Sequence, residues 1–338
     1  MLDRTLTVRV ARISQLTTEV SAFELVHPWG GSLPGYCAGA HIDVHLPGGF
    51  MRQYSLASAE AAAAAGEGRM GCARYVIGVK REQPSRGGSA SLHERVRVGD
   101  LLAISTPRNN FPLHHDAAHL WLLAGGIGIT PLLAMAQELA HLGAPFTLCV
   151  FARSRAHLAF ADELAALGAR VRHHFDEPAA GTAALKLDIA ALLREHAPGS
   201  HLYLCGPGGF MQAVLAAAGH WPEENVHLEY FAPPAAEGVG AGRDEPFTLV
   251  IAGRGIEVPV SADQSAVGAL HDLGIDVPTS CSQGVCGTCV VALAQGAASA
   301  GNAPDHRDHC LTATERRSKV ALCCSRAQAG GRLVVELP

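Results

Sequence analysis

Three cysteines within one short stretch, Cys281-Ser-Gln-Gly-Val-Cys286-Gly-Thr-Cys289, constrain this chain more than any other feature. The spacing is C-x4-C-x2-C, that of a plant-type [2Fe–2S] cluster. Thiolates are soft ligands suited to iron and sulfide. Three on one loop must curl around a compact anionic core, and Gly284 and Gly287 allow the tight turns this needs. A structural zinc site would usually draw on paired C-x2-C steps, and here there is one such step and no second pair. A fourth thiolate must come from Cys310, Cys323 or Cys324. Cys323 is favoured, because Val320-Ala-Leu-Cys323 reads as the end of a short strand that can return to the loop. Cys324, adjacent to it, should point elsewhere and serve as a packing thiol. Cys310 follows His306, Arg307, Asp308 and His309, a polar run expected at a surface.

The chain of 338 residues is long enough for two or three domains, and 48% hydrophobic residues suffice for their cores. A net charge of −5 gives no basic signature, so nucleic acid is not an expected partner. The ten cysteines, with no apolar stretch of the signal-peptide kind at the start, fit reduced thiols and metal ligands in the cytoplasm. No apolar run reaches the roughly 20 residues of a membrane span. The alanine run at 61–65 reads as a loop insertion.

Residues 1–113 hold several short strands separated by turn residues: Leu6–Ile13, His41–Leu46, Tyr75–Lys80 and Leu101–Ser105. This predicts a small antiparallel barrel or sandwich. Arg52-Gln53-Tyr54-Ser55-Leu56 puts a cation, an aromatic ring and a hydroxyl on one strand. Alternation sets Arg52 and Tyr54 on one face and Gln53 and Ser55 on the other. Gly78, Val79 and Lys80 lead towards Arg86-Gly87-Gly88-Ser89, which precedes a helical segment, Ala90–Glu94. A glycine pair with a serine at a helix start suits a phosphate. Each stretch taken alone equally suits an exposed strand or a surface turn.

Residues 114–232 alternate strands and helices. His119–Ala124 is short and apolar, as a buried parallel strand is. Gly125-Gly126-Ile127-Gly128-Ile129-Thr130-Pro131 follows, then a helix over Leu132–Leu142 with Thr130 as its cap and Pro131 at its first position. Strand, glycine loop and helix form the context of a dinucleotide-binding turn, although Pro131 stands where the third glycine of G-x-G-x-x-G would be. Further strands are predicted at Phe146–Ala152, Val171–Phe175 and Leu202–Cys205. Helices are predicted at Ala159–Leu167, Leu187–Glu195 and Phe210–Ala218. A second glycine turn, Gly206-Pro207-Gly208-Gly209, follows Cys205, a residue type more often found as a buried packing thiol. Residues 233–244, rich in Pro, Gly and Ala, read as a linker. Residues 245–338 read as a β-rich α+β unit containing the cysteine loop.

With these motifs in view, nearly the whole chain resembles the family of phthalate dioxygenase reductase and the vanillate demethylase reductases. The resemblance implies a multidomain protein: an antiparallel β-barrel flavin domain, a doubly wound α/β nucleotide domain and an α+β ferredoxin-like (β-grasp) domain. It implies that Arg52, Gln53, Tyr54, Ser55, Gly78, Val79, Lys80 and Arg86–Ser89 hold FMN. Gly125, Gly126, Gly128, Thr130, Pro131, Cys205, Gly206 and Pro207 would face NADH, with Phe231 near the flavin. Its C-x-S-R stretch matches Cys323–Arg326 and makes Cys323 the fourth cluster ligand, beside Cys281, Cys286 and Cys289. Ser55 and Thr130 are then expected around the flavin ring, and Cys205 at the nicotinamide. The implied activity is electron transfer from NADH through FMN and the cluster to a Rieske-type aromatic-ring oxygenase or O-demethylase, by a monomeric protein. Arg153 and Arg155, after the second strand of the nucleotide fold, are where a 2′-phosphate of NADPH would be read. Other readings are a reductase for a different oxygenase or acceptor, or a ferredoxin carrier fused to a degenerate reductase.

Overall fold

A computed structural model describes residues 5–58, 71–85, 87–177, 186–233, 244–294, 303–327 and 331–337. Arg86, the alanine run and most of the expected linker lie outside the described residues. The chain forms two compact units, Met1–Glu229 and Tyr230–Pro338. Among the described residues no helix is long and apolar enough to cross a membrane.

The first unit begins with an antiparallel sheet. Its strands are β1 (Thr5–Gln15), β2 (Val20–Val26), β3 (Ala40–Leu46), β4 (Phe50–Ser55), β5 (Arg74–Lys80), β6 (Leu101–Ser105) and β7 (Arg108–Asn109), with helix α1 (Gly88–Arg95) between β5 and β6. The order is β4-β3-β6-β1-β2-β5, with β7 on β3. A bridge between Leu56 and Ile77 joins the two outer strands, giving a near-closed barrel. Alternate residues fill it: Val8 and Val10, Phe23 and Leu25, Ile42 and Val44, Tyr75, Ile77 and Val79. Leu92 of α1 joins this core.

The same unit continues as a parallel sheet: β8 (Leu120–Gly125), β9 (Phe146–Ala152), β10 (Val171–Phe175), β11 (His201–Cys205) and β12 (Val226–Glu229). The helices are α2 (Ile129–Leu142), α3 (Ala161–Ala166), α4 (Ile189–Leu193) and α5 (Gly208–Ala217). Sheet order is β10-β9-β8-β11-β12. The chain therefore reverses direction across the sheet between β8 and β11, the crevice where open α/β sheets take ligands. Both glycine turns leave the C-terminal ends of these two strands. The barrel and the parallel sheet share one core, in which Val20, Ala22, Ala38 and Ala57 pack with Leu120, Leu133 and Met135. The buried Glu138 of α2 reinforces the joint: one oxygen accepts from Ala38 N at 3.2 Å and the other pairs with His115 Nε2 at 2.6 Å.

One expected detail differs. Helix α2 starts at Ile129, with Gly128 in the cap position and no side-chain cap bond. A 3-10 turn over Gly126–Gly128 runs directly into the helix, so Thr130 and Pro131 lie inside its first turn. Thr130 Oγ1 donates back to Ile127 O at 3.1 Å instead of capping.

The second unit has β13 (Phe247–Ile251), β14 (Ile256–Val260), helix α6 (Ala266–Asp272), β15 (Val290–Leu293), β16 (Pro304–Asp305), β17 (Lys319–Ala321), β18 (Arg326–Ala327) and β19 (Arg332–Glu336). The main sheet runs β14-β13-β19-β15-β17, with β13 and β19 parallel, and β16 pairs with β18. Ser265 caps α6, its Oγ accepting from Gly268 N at 3.1 Å. Arg326 is 6% exposed. Its guanidinium donates to the carbonyls of Gln264, Glu245 and Ser261 at 2.9, 3.1 and 2.9 Å. It also lies 4.9 Å from the centre of the Phe247 ring. Arg326 thus ties the segment after Cys323 to two others, the entry to β13 and the connection from β14 to α6.

A Cβ on residue 128 would lie 2.2 Å from Cys205 O and 2.7 Å from Gly206 N, both fixed backbone atoms. Gly128→Ala is expected to force the two turns apart. The cost should be roughly 1–3 kcal/mol, read as a lower Tm, together with a KM for the nicotinamide raised more than kcat falls. An unchanged Tm and KM would show that this close approach is dispensable.

Candidate active site and metal centre

At the switch point the turns after β8 and β11 are in contact. A Cβ on Gly206 would meet Gly125 Cα at 2.9 Å, and one on Gly125 would meet Pro207 Cδ at 3.0 Å. The chain at Gly126 has φ +53 and open space beside it. This combination, backbone without side chains facing a void at strand ends, fits a dinucleotide. Cys205 is fully buried, and burial, followed by the nearby Glu229 carboxylate, pushes its thiol well above the ordinary range. It is a neutral thiol in the floor of the crevice. Thr130 is 2% exposed, with its hydroxyl committed to Ile127.

Glu229, which sequence reasoning passed over, joins this site. It is the register partner of Cys205 in the β11–β12 pair. Its Oε2 accepts from Ser55 Oγ of the barrel at 3.1 Å. The residue keeps some accessible surface, but its carboxyl lies deep in the protein, and that burial raises its pKa to about 7 against the opposing hydrogen bond from Ser55. The sequence did contain a signal: an acid ending the short strand Val226–Glu229, directly before Tyr230-Phe231. Alternating His227 and Glu229 in so short a run concealed the strand.

The other barrel residues divide. Arg52 lies against the start of α1, where a Cβ on Gly88 would meet Arg52 Cγ at 2.5 Å. Its Nη1 donates to Met51 O at 2.8 Å, and the guanidinium lies 5.5 Å from the Phe50 ring centre. A cation beside an open helix N-terminus fits one phosphate. Gly87 (φ +91) is enclosed by the Phe50 ring, and Ser89 Oγ accepts from Glu82 N at 3.2 Å. Tyr54 is pushed up by burial, with Arg52 opposing. Gln53 Nε2 is 3.2 Å from His41 Nε2. Gly78 has a packing reason to lack a side chain: a Cβ there would meet Thr130 Cγ2 at 2.7 Å and Phe160 Cε2 at 2.9 Å. Val79 is in the barrel core, and Lys80 pairs with Glu82 at 3.6 Å. Arg153 Nη1 is 3.4 Å from His157 Nε2, and the Arg155 guanidinium is 5.9 Å from the Phe175 ring centre. Phe231 belongs to the second unit and is 43% exposed.

In the second unit the cysteine loop takes positive φ at Ser282, Gly284 and Gly287 (55°, 72° and 72°), which turns it back on itself. Pairing of Val290 with Ala321 brings the end of this loop beside the segment leading to Cys323, and Leu322 N donates to Cys289 O at 3.2 Å. Side-chain hydrogen bonds then link Cys281 to Cys286 and Cys323, and Cys289 to Cys323. Those contacts lower the Cys281 and Cys289 thiols. Gln283 N donates to Cys281 Sγ at 3.3 Å, and Cys286 Sγ is 3.2 Å from Thr288 Oγ1. Four sulfurs joined in one group, with backbone and hydroxyl dipoles around them, fit an iron–sulfur core.

Cys324 lies against the same loop, where a Cβ on Gly284 would come 2.5 Å from its Sγ, and its thiol is also linked to Cys323. Cys310 is half-buried and pushed up to about 12, by burial first and then by Asp308. The surface expected for the run before Cys310 holds for Arg307, which is exposed, and His306 and His309 are half-buried. Asp308 departs from it: it is 2% exposed, and its Oδ2 accepts from Arg316 Nε at 3.2 Å. His309 N donates to Gly284 O at 2.8 Å, docking this segment on the cysteine loop.

The sequence matches the 2Fe-2S iron-sulfur cluster binding domain over residues 249–328 and the oxidoreductase NAD-binding domain over residues 122–216. It is 44% identical to the tert-butanol monooxygenase / tert-amyl alcohol desaturase reductase subunit of Aquincola tertiaricarbonis, covering 98% of this chain and 96% of that one. Among solved structures it is similar to an intact type IV self-sufficient cytochrome P450 monooxygenase (34% identity, TM-score 0.82). That match covers 98% of this chain and only 41% of the P450. Phthalate dioxygenase reductase, a modular structure for electron transfer from pyridine nucleotides to [2Fe-2S], is 35% identical with TM-score 0.67, and 98% of each chain is covered. With its barrel, nucleotide sheet and C-terminal ferredoxin-like sheet, the chain belongs to the family of phthalate dioxygenase reductase and vanillate O-demethylase oxidoreductase, the nicotinamide-dependent iron–sulfur flavoprotein reductases of oxygenase systems.

Proposed function

We propose that this protein carries electrons from NADH through FMN and a [2Fe–2S] cluster to a Rieske-type aromatic-ring oxygenase or O-demethylase. The observation that supports this reading best is the Ser55–Glu229 hydrogen bond. It joins the strand carrying Arg52, Tyr54 and Ser55 to the register partner of Cys205, and so brings the barrel motif to the nucleotide crevice. When bound, NADH supplies a hydride, FMN accepts two electrons and releases them singly, and the cluster carries one at a time.

The chain's own groups position and insulate these steps. Arg52 and the start of α1 hold the phosphate of the flavin. The turns at Gly125–Gly128 and Cys205–Pro207 let the dinucleotide approach backbone N–H groups. Cys205 and Thr130, both buried, exclude water from the crevice floor. Glu229 holds Ser55 Oγ in one orientation, and a pKa of about 7 lets its carboxyl carry a proton at neutral pH. Cys281, Cys286, Cys289 and Cys323 are the cluster ligands. Cys324 and Cys310 are packing thiols around it.

The purified protein is expected to release FMN on acid extraction and to turn over NADH in preference to NADPH. Recovery of FAD, or a preference for NADPH, overturns that half of the assignment.

Cys323→Ala is expected to keep flavin and NADH-dependent ferricyanide reduction while losing the cluster's visible absorbance and cytochrome c reduction. Cys324→Ala and Cys310→Ala should keep all four. A normal cluster spectrum in Cys323→Ala alongside its loss in either other variant would reassign the fourth ligand.

Glu229 generates a prediction with a definite sign. Its folded pKa is raised, from 4.5 to about 7, so the fold holds a proton that the unfolded chain releases. Its contribution is therefore fullest below pH 4.5 and is lost as pH rises to about 7. Glu229→Gln should flatten stability across that window and slow flavin reduction by roughly 10–100-fold, without the wild-type inflection near neutral pH. Stopped-flow flavin reduction and Tm from pH 5 to 8 test this, and parallel wild-type and variant profiles would remove Glu229 from the mechanism.

A further inference from the structure

At the end of the parallel sheet opposite the nucleotide turns, three imidazoles meet. His201 begins β11, His227 lies on β12, and His114 lies on the connector between β7 and β8. One ring nitrogen from each falls within 4.8 Å of the others. His201 Nδ1 and His227 Nε2 are 2.8 Å apart, in rings parallel to within 1°. The His114 ring stacks across both, at 4.8 and 4.7 Å between centroids. Among the described residues the His114 ring has no hydrogen bond of its own, although its backbone N–H donates to Tyr203 Oη at 2.9 Å. All three residues are half-buried, so the cluster is reachable from solvent.

We propose that His114, His201 and His227 bind one divalent transition-metal ion of the zinc, nickel or copper type. Neutral imidazole is the preferred nitrogen ligand of such ions. Two nitrogens at the observed spacing, each roughly 2.0–2.1 Å from an ion, subtend about 85–90°. That suits adjacent positions of a tetragonal or octahedral field, and opening the pair to about 3.3 Å gives the tetrahedral angle that zinc takes. The ion takes the place of the hydrogen bond between His201 and His227, the donor ring moving its proton to its other nitrogen, and rotation of His114 out of its stack supplies the third nitrogen. The Asp116 carboxylate acts on His201 electrostatically, favouring positive charge there. Tyr203 Oη already donates to Pro112 O at 2.9 Å, so the ion would add a second fastening of the same connector to β11 and β12. His201 is four residues from Cys205, about 13 Å along an extended strand, so the ion's role is structural and separate from electron transfer.

The test uses the holoprotein with flavin and cluster loaded, dialysed against micromolar zinc chloride, with zinc and iron measured per chain and Tm recorded. One zinc above the metal-free control, a higher Tm and unchanged cluster absorbance are expected. His201→Gln and His227→Gln should weaken zinc binding about tenfold or more. So should His114→Gln, whose ring is held only by stacking and whose fold is checked by flavin content. His141→Gln, on the exposed end of α2, should bind as wild type. Absence of zinc uptake by the wild type, or wild-type affinity in all three cluster variants, overturns the proposal.

Discussion

One missing methyl group at position 128 sets the geometry of the nucleotide half. Only there can the chain leaving β8 lie against the carbonyl of Cys205, and this contact holds the two glycine turns together across the switch point. Cys205 is in turn paired with Glu229 across β11 and β12, and Glu229 holds Ser55 of the barrel. A backbone contact, a strand register and a hydrogen bond therefore run in series from the dinucleotide turn to the barrel. The shared core beneath, with Glu138 satisfied by Ala38 and His115, makes this series rigid. Relative placement of two rings is what a hydride step needs most.

The ferredoxin-like unit solves a different problem. A cluster loop contributes almost no apolar packing of its own, so its position must be imposed from outside. Arg326 does this from one side by binding three carbonyls on two other segments, which fixes the chain just after Cys323. The β15–β17 pair does it from the other by fixing the residues just after Cys289. The docked run at Asp308–His309 covers the glycine turn at Gly284. The C-x-S-R pattern thus has a mechanical reading: the thiol binds and the guanidinium holds the register.

Legibility in the sequence followed the range of the cause. The cysteine loop, the glycine turn after β8 and the paired strand motif were readable because short-range spacing determines them. The helix start at Ile129 was misplaced because a 3-10 turn satisfies the same residues without a side-chain cap. Glu229 was passed over because, although it ends a short strand, its meaning comes from Ser55, 174 residues away. Gly78 was read as a cofactor contact, while its missing side chain admits Thr130 and Phe160. Asp308 read as surface from its polar neighbours, since nothing local announces Arg316 as its partner.

The crowding of thiols in the second unit illustrates why proximity alone does not select ligands. Cys310 and Cys324 lie close enough to the cluster cysteines to perturb them. Cys323 is hydrogen-bonded to Cys281 and Cys289 and also to Cys324, whose thiol fills the space that Gly284 leaves by lacking a side chain. A glycine at 284 is therefore needed twice, once for its positive φ and once to make room for the neighbouring thiol. At Cys310 burial, and then the buried Asp308 beside it, opposes formation of an anion. Backbone position and the electrostatics of one buried carboxylate bear on ligand choice in this loop, which the number of cysteines alone leaves open.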